Sequence, residues 1–202
     1  MKIRKLILGQ LGTNCYVIGD KNVVVVDPGA DAEKILEFLG RENMKLDKIL
    51  VTHGHFDHVC ALAELKEKTG AKVYMHKDDV QMLGNMEKSL GFMTGETPKA
   101  CEVDFILEGN EEIEVEGEKL TVIHTPGHSA GSVCYIGEGF VFSGDLIFRE
   151  SIGRYDYGSG YCAIISSVHK LLNKIEPDWV ILPGHGMETT KEYEKENNPY
   201  LK

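Results

Sequence analysis

A layered α/β fold, with strands inside and helices outside, is what this chain predicts, and three features predict it. Short β-branched and apolar runs recur along most of its length. Several segments between them repeat at helical spacing with a single apolar face, which must lie against something. Ligand-type residues stand repeatedly just past the ends of the strand-like runs, as they do when loops at one rim of such a scaffold share a site.

Taken in order, strand-like runs lie near residues 3–8, 14–19 and 23–27. Ala32, Ile35, Leu36 and Leu39 then form a helical stripe behind Asp31, a residue of the type that caps helix N-termini. A strand near 48–52 runs into a histidine-rich loop, after which Ala61, Leu62 and Leu65 lie opposite Glu64, Lys66, Glu67 and Lys68 as a second amphipathic helix. After a strand near 72–75, Met82, Met86 and Met93 are scattered among Gly84, Gly91, Gly95 and Pro98. Residues 81–100 therefore read as a mobile loop or broken helix near a substrate mouth, or equally as a surface insertion packed by methionines. Further strands are expected near 103–107, 111–115, 119–124, 132–136, 140–143 and 178–182. The strongest helical stripe, Ile164, Ile165, Val168, Leu171, Leu172 and Ile175, stops at Pro177, and the charged segment 188–195 reads as a solvated helix. With no tandem repeat, low-complexity tract or Gly/Ser linker, residues 1–202 read as one domain.

Composition narrows the function classes. The net charge is −10 and the basic residues are dispersed, so no basic stripe is present to follow a phosphate backbone, and nucleic acid is not an expected partner. No stretch approaches a membrane span, and Leu6-Ile-Leu8 is too short for a secretory signal. The five cysteines, Cys15, Cys60, Cys101, Cys134 and Cys162, are odd in number and lack Cys-x-x-Cys pairing, so buried or free thiols in a reducing cytoplasm are expected. Cys60, close to the histidine loop, either lines the site or packs against the strands; packing is the simpler reading.

The chemistry is concentrated in Thr52-His-Gly-His-Phe-Asp-His58, where His53, His55, Asp57 and His58 place four metal-ligand types on a strand-to-helix loop. Such side chains must converge on a point about 2.0–2.2 Å away, and Gly54 permits the turn this needs. In an extended strand His53, His55 and Asp57 would share a side while His58 faced away. That split suggests two centres, one using His53 and His55 and the other Asp57 and His58; a single metal supported by the remaining groups is the alternative. Three later units repeat strand, Gly turn, ligand: Lys119–His124 into His128, Gly139–Ser143 into Asp145, and Trp179–Leu182 into His185. Asp145 suits a bridge, since its two oxygens can each take one metal of a pair about 3.5–4 Å apart.

Leu11-Gly-Thr-Asn-Cys-Tyr16, Val25-Val-Asp-Pro-Gly29, the histidine loop, His124-Thr-Pro-Gly-His128, Phe142-Ser-Gly-Asp145, Ser151-Ile-Gly-Arg154 and Pro183-Gly-His-Gly186 follow one another along the chain. Together they resemble the metallo-β-lactamase-fold hydrolases, and within them the glyoxalase II-like group. The resemblance implies a four-layer αβ/βα sandwich. It places His53, His55 and His128 on a first metal, Asp57, His58 and His185 on a second, and Asp145 between them. The implied cofactors are two divalent ions, zinc first, with iron or manganese as alternatives. Metallo-β-lactamases proper generally lack a His in the place of His58 and a bridging carboxylate like Asp145, so the resemblance disfavours antibiotic hydrolysis. Two departures stand out: Cys60-Ala61 occupy a place where the group commonly has Gly, and only Met187–Lys202 follow the last motif, where full-length glyoxalase II enzymes carry a helical domain that helps hold glutathione.

Two divalent metals, Asp57, Asp145 and a bridging hydroxide sum to about +1, a centre that favours a developing oxyanion. The expectation is therefore a hydrolase of thioesters such as S-lactoylglutathione, with Asp57 as a catalytic proton acceptor, a small-molecule substrate as its partner and neither nucleic acid nor membrane; the oligomeric state is left open. Arg154 and Tyr155, with Tyr157, are the candidates to meet an anionic substrate, although Arg154 paired with Asp156 is the plainer reading. Of the other histidines, His76 is expected to cap or support, His124 to orient its loop, and His169 to stay out of the site. The alternatives are a mononuclear iron persulfide dioxygenase using two His and one carboxylate, a lactone or other ester hydrolase, and a non-catalytic metal-binding protein.

Overall fold

A computed structural model describes residues 1–202, and the elements alternate much as the sequence pattern predicts. Strands β1 (Ile3–Leu8), β2 (Thr13–Ile18) and β3 (Asn22–Val26) form an antiparallel meander; α1 (Ala32–Arg41) then crosses over to β4 (Lys45–Leu50), which lies parallel to β3. The one-turn helix α2 (Phe56–Val59) and α3 (Leu62–Thr69) lead to β5 (Lys72–His76), and β6 (Phe105–Leu107) completes a six-stranded sheet in the order β1-β2-β3-β4-β5-β6. The second sheet contains β7 (Glu112–Val115), β8 (Glu118–His124), β9 (Val133–Gly137) and β10 (Phe140–Gly144). After a small hairpin of β11 (Ile147–Phe148) and β12 (Ser151–Ile152) and helix α4 (Tyr161–Leu172), it is extended by β13 (Val180–Pro183) and β14 (Thr189–Thr190). Helix α5 (Lys191–Asn197) follows.

Strand alternation explains the layering. Val23 and Val25 pack with Ile35 and Leu39 of α1 and Leu62 and Leu65 of α3, while Val24 and Val26 turn the other way to meet Leu120, Val122, Tyr135 and Phe142 of the second sheet. A strand covered on both faces needs apolar residues at every position, which is why Val23-Val-Val-Val26 shows no alternation. On the far side, Ile123, Cys134, Val141 and Ile181 receive Ile164, Val168 and Leu171 of α4. The result is the four-layer αβ/βα sandwich, with helices outside both sheets.

Several expectations need correction. Asp31 stands at the N-cap position of α1 but makes no capping bond; its own φ is +55°, and its carboxylate accepts from the Gly9 N–H at 3.2 Å instead. The terminal helix begins at Lys191, not near 188, and it is not simply solvated. Glu194 is fully buried and accepts from Thr189 Oγ1 (2.6 Å), Asn198 Nδ2 (2.7 Å) and the Glu150 N–H (3.0 Å). Residues 81–100 are a broken helix, with 3-10 turns at Val80–Met82 and Gly91–Met93. Cys60 lines a surface trough beside Glu96 rather than packing among strands, and burial followed by the Glu96 and Asp57 charges pushes its thiol up to about 12.

Because Leu171 is completely buried between α4 and the second sheet, Leu171→Ala should cost about 2–5 kcal/mol. A fall in the urea midpoint with unchanged metal content would show that α4 supports the sheet and not the site; an unchanged midpoint would refute the packing role.

Candidate metal centre

Strand ends and tight turns deliver each polar side chain. Beyond β4, Val51 and Thr52 continue to His53, and the turn through Gly54 brings His55 to the N-terminus of α2. Asp57 and His58 therefore lie within the first helical turn and not on the loop itself. The helical step of about 100° per residue, not strand alternation, sets their directions, and it brings the His58 ring to 4.0 Å from the His53 ring. His128 follows β8, Asp145 follows β10 and His185 follows β13.

All seven predicted ligands converge. Ligand atoms of His53, His55 and His128 lie within 4.8 Å of one another, as do those of Asp57, His58 and His185, and those of His53, His58 and Asp145. Asp145 stands between the groups: its Oδ1 is 3.5 Å from His58 Nε2, and its Oδ2 is 3.5 Å from His128 Nε2 and 3.6 Å from His185 Nε2. Gly184 makes this approach possible, since a Cβ there would fall 2.2 Å from Asp145 Oδ1.

Hydrogen bonds on the outer sides of the rings aim the remaining nitrogens inward. His58 donates from Nδ1 to Asp27 Oδ2 (2.9 Å), and His128 donates from Nδ1 to the Arg154 carbonyl (2.7 Å), so each Nε2 is turned inward as the atom that would meet a metal. His55 Nδ1 then lies 2.8 Å from His128 Nε2. His53 Nε2, His58 Nε2 and Asp145 Oδ1 are buried without any hydrogen-bond partner. Three orphaned atoms of ligand type facing one another would be costly in a natural core, and divalent cations satisfy all three at once. The residues present thus fit a dinuclear metal site.

Two buried carboxylates hold this arrangement, and neither stands out in the sequence as more than part of a turn. Asp27, which ends β3 with φ +52°, accepts from the Thr52 N–H (2.7 Å) and Thr52 Oγ1 (2.6 Å) as well as from His58. Asp79 accepts from the Gly54 N–H (2.9 Å), Ser129 Oγ (2.6 Å) and the Gly131 N–H (2.7 Å), tying the His53–His55 turn to the His128 loop. The signal was present but hidden: Asp27 sits in the Val-Asp-Pro-Gly run, and Asp79 in Lys77-Asp-Asp, which resembles a helix start. On the other side, Asn14 Nδ2 and Tyr16 Oη donate to the Pro183 carbonyl at 2.9 and 2.7 Å and fix the turn that carries His185.

A cleft of about 140 Å³ opens onto these groups. His55, Asp57, His128, Asp145 and His185 line it together with Phe56, Leu90, and the exposed Leu11, Met93 and Tyr157. Leu90 and Met93 place the broken helix at the mouth. Arg154 also lines the cleft, but its guanidinium is forked onto Asp156 (3.1 and 2.6 Å) and lies over the Tyr157 ring. Tyr155 does not line the cleft; it packs against Tyr161 with ring centroids 5.3 Å apart, whereas Tyr157, named with it, does line the cleft. His76 accepts from the Asp78 N–H (3.3 Å) and stacks on His124, which donates to the Ala130 carbonyl (2.8 Å) and so orients the loop ahead of His128. His169 is exposed on α4, away from the site.

A family model for the metallo-beta-lactamase superfamily matches residues 8–185. The chain belongs to that superfamily. This superfamily hydrolase is 32% identical over 195 residues to the hydroxyacylglutathione hydrolase GloC of Haemophilus influenzae, spanning 93% of this chain and 92% of that one. Among solved structures it is similar to the BLEG-1 B3 metallo-beta-lactamase, with a TM-score of 0.92 and 34% identity over 99% of each chain. It is also similar to TTHA1623, solved in a di-iron-bound form, with a TM-score of 0.87 and 35% identity over 98% of this chain and 100% of the other.

Burial, then the neighbouring imidazoles, keeps His53 and His55 neutral. Burial also opposes a charge on His58, but Asp57, Asp145 and Asp27 outweigh it and hold its pKa up at about 10; His185 is raised by Asp57 and Asp145 against the same opposition. At neutral pH the metal-free superfamily hydrolase therefore carries a proton on His58 that an incoming metal must expel. Zinc affinity should rise with pH up to about 10, and calorimetric titration in two buffers of different ionisation enthalpy should show proton release; a heat independent of buffer would contradict this. Asp27→Asn should weaken metal binding by about 10–100-fold while the fold persists, because the buried carboxylate orients His58. Unchanged affinity in a competition titration would remove that role.

Proposed function

We propose that this superfamily hydrolase cleaves thioesters of small acyl groups, with S-lactoylglutathione as the reference substrate and two zinc ions as its cofactors. The observation that carries the reading is the pair of ligand triads sharing Asp145 beneath an open cleft. A closed structural site would leave no route for a substrate. Similarity to the Haemophilus hydroxyacylglutathione hydrolase supports the substrate class, and the di-iron form of TTHA1623 makes iron the alternative metal.

When bound, two divalent metals supply a hydroxide at neutral pH and polarise the acyl oxygen. The chain's own residues do the rest. His53, His55 and His128 would hold one ion, Asp57, His58 and His185 the other, and Asp145 would touch both. Burial acts to protonate Asp57, yet the charge of His58 and the contact with His185 keep it ionised. Its Oδ2 accepts from Thr13 Oγ1 (3.2 Å) and lies 3.1 Å from His185 Nε2, which leaves the carboxylate placed to take a proton as water attacks. A departing thiolate needs no strong acid, and no acid beyond these groups is required at the cleft floor.

A second reading is favoured by the BLEG-1 comparison, namely opening of a β-lactam ring. His58 and Asp145, which disfavour that role by sequence, are both at the site. The dioxygenase alternative uses one triad only, whereas a second triad of Asp57, His58 and His185 is also assembled here.

One panel tests these readings: S-lactoylglutathione, a lactone, a β-lactam, and glutathione persulfide with oxygen uptake, with metal content measured on the same sample. We expect thioester hydrolysis that chelation abolishes and zinc restores, and Asp57→Ala, assayed at zinc high enough to refill the site, should lower kcat by about 10²–10⁴-fold; full activity with two metals bound would remove the role of Asp57. Oxygen consumption on one iron, or thioesters left intact beside rapid β-lactam or lactone turnover, would overturn the assignment.

A further inference from the structure

We propose that the cleft selects thioesters whose thiol carrier is uncharged and apolar, and that Asp156 enforces this by occupying Arg154; the inference rests on the thioester reading above. Leu11, Met93 and Tyr157 are 49%, 51% and 52% exposed and ring the mouth of the cleft, with Leu90 and Phe56 also lining it. Apolar side chains left in water around a polar floor gain by covering an apolar substituent. The imidazoles and carboxylates at the floor face the reacting carbonyl, so the carrier leaves outward across this collar.

Charge points the same way. Arg154 is the one Lys or Arg side chain lining the cleft, and both carboxylate oxygens of Asp156 are already forked onto it. Asp156 takes the Nε–Nη2 edge and offsets the guanidinium's charge, so a carrier carboxylate would meet only the remaining Nη1 edge, beside a carboxylate already in place. Beyond Leu11, which also lines the cleft, lie a small cavity lined by Gln10 and Glu96 and an open trough lined by these two with Asp31 and Glu64, and no Lys or Arg lines either. A glutathionyl carrier brings two carboxylates and one ammonium into this surface, and a coenzyme A carrier brings several phosphate charges. An alkyl carrier brings none.

The test compares lactoyl thioesters of butanethiol, glutathione and coenzyme A on the zinc-loaded full-length protein, with each rate divided by that thioester's rate of hydrolysis by hydroxide alone, because butanethiol is the most basic of the three leaving thiolates. The expected order of kcat/KM is butanethiol first, at least fivefold above glutathione, and coenzyme A last. Added salt should lower KM for the anionic pair by screening repulsion. Asp156→Asn, a change at an exposed position, should narrow the gap between glutathione and butanethiol by releasing Arg154. Met93→Lys should narrow it independently by adding a cation at the mouth. A glutathione thioester preferred over the butyl thioester, a KM that rises with salt, or a gap that neither variant changes would overturn the proposal. If no thioester is cleaved, the hydrolase reading fails. The carrier preference is then read by calorimetry with the non-hydrolysable thioethers S-butylglutathione and dibutyl sulfide: tighter binding of the neutral compound supports it, and tighter binding of the glutathione compound refutes it.

Discussion

Five imidazoles and two carboxylates meet in one largely buried place, and the free energy of gathering them constrains the rest of the molecule. Burial disfavours charge on His53 and His55, while the carboxylates around His58 draw a proton onto it, so neighbouring rings of the same residue type are driven to different protonation states. Three ligand atoms are left with no partner at all. Such a cluster persists only if its surroundings are rigid and cations complete it.

Rigidity comes from both sheets. Val24, Val26, Val122, Tyr135 and Phe142 close the space between them, and Tyr135 Oη donates to the Val51 carbonyl at 2.7 Å, joining the sheets one residue before Thr52. Asp27 and Asp79 then act as buried struts, each accepting several hydrogen bonds from the turns that carry histidines. The two struts share no partner. Asp27 serves the second triad through His58, whereas Asp79 serves the first through Gly54 and the loop of His128. The two halves of the site meet where the His53 and His58 rings lie 4.0 Å apart and at Asp145, whose place depends on the absence of a side chain at Gly184. Around this polar centre the cleft is also lined by the apolar side chains of Leu11, Phe56, Leu90 and Met93.

Much of this architecture was legible from residue pattern. The seven ligand residues, the order of strands and the amphipathic stripes of α1, α3 and α4 all follow from local signals: side-chain type, spacing and turn residues, which depend on near neighbours in the chain. Local signals also mislead where a distant partner competes. Asp31 has the chemistry of a helix cap, yet Gly9 takes its carboxylate; Glu194 looks solvated on a charged helix, yet three donors from Thr189, Asn198 and Glu150 bury it.

What the sequence alone determined, then, was which residues have the side-chain types of a metal site and which faces seek a core. Only the tertiary structure decided which of them meet. Asp27 and His58 are 31 residues apart, Gly54 and Asp79 are 25 apart, and Ser129 and Asp79 are 50 apart, so no spacing rule along the chain registers these contacts. That Tyr157 lines the cleft and Tyr155 does not has the same origin. Two residues of equal chemistry in one turn are separated by the packing around them, Tyr155 against Tyr161 and Tyr157 beneath Arg154, and that packing exists only once the layers have closed.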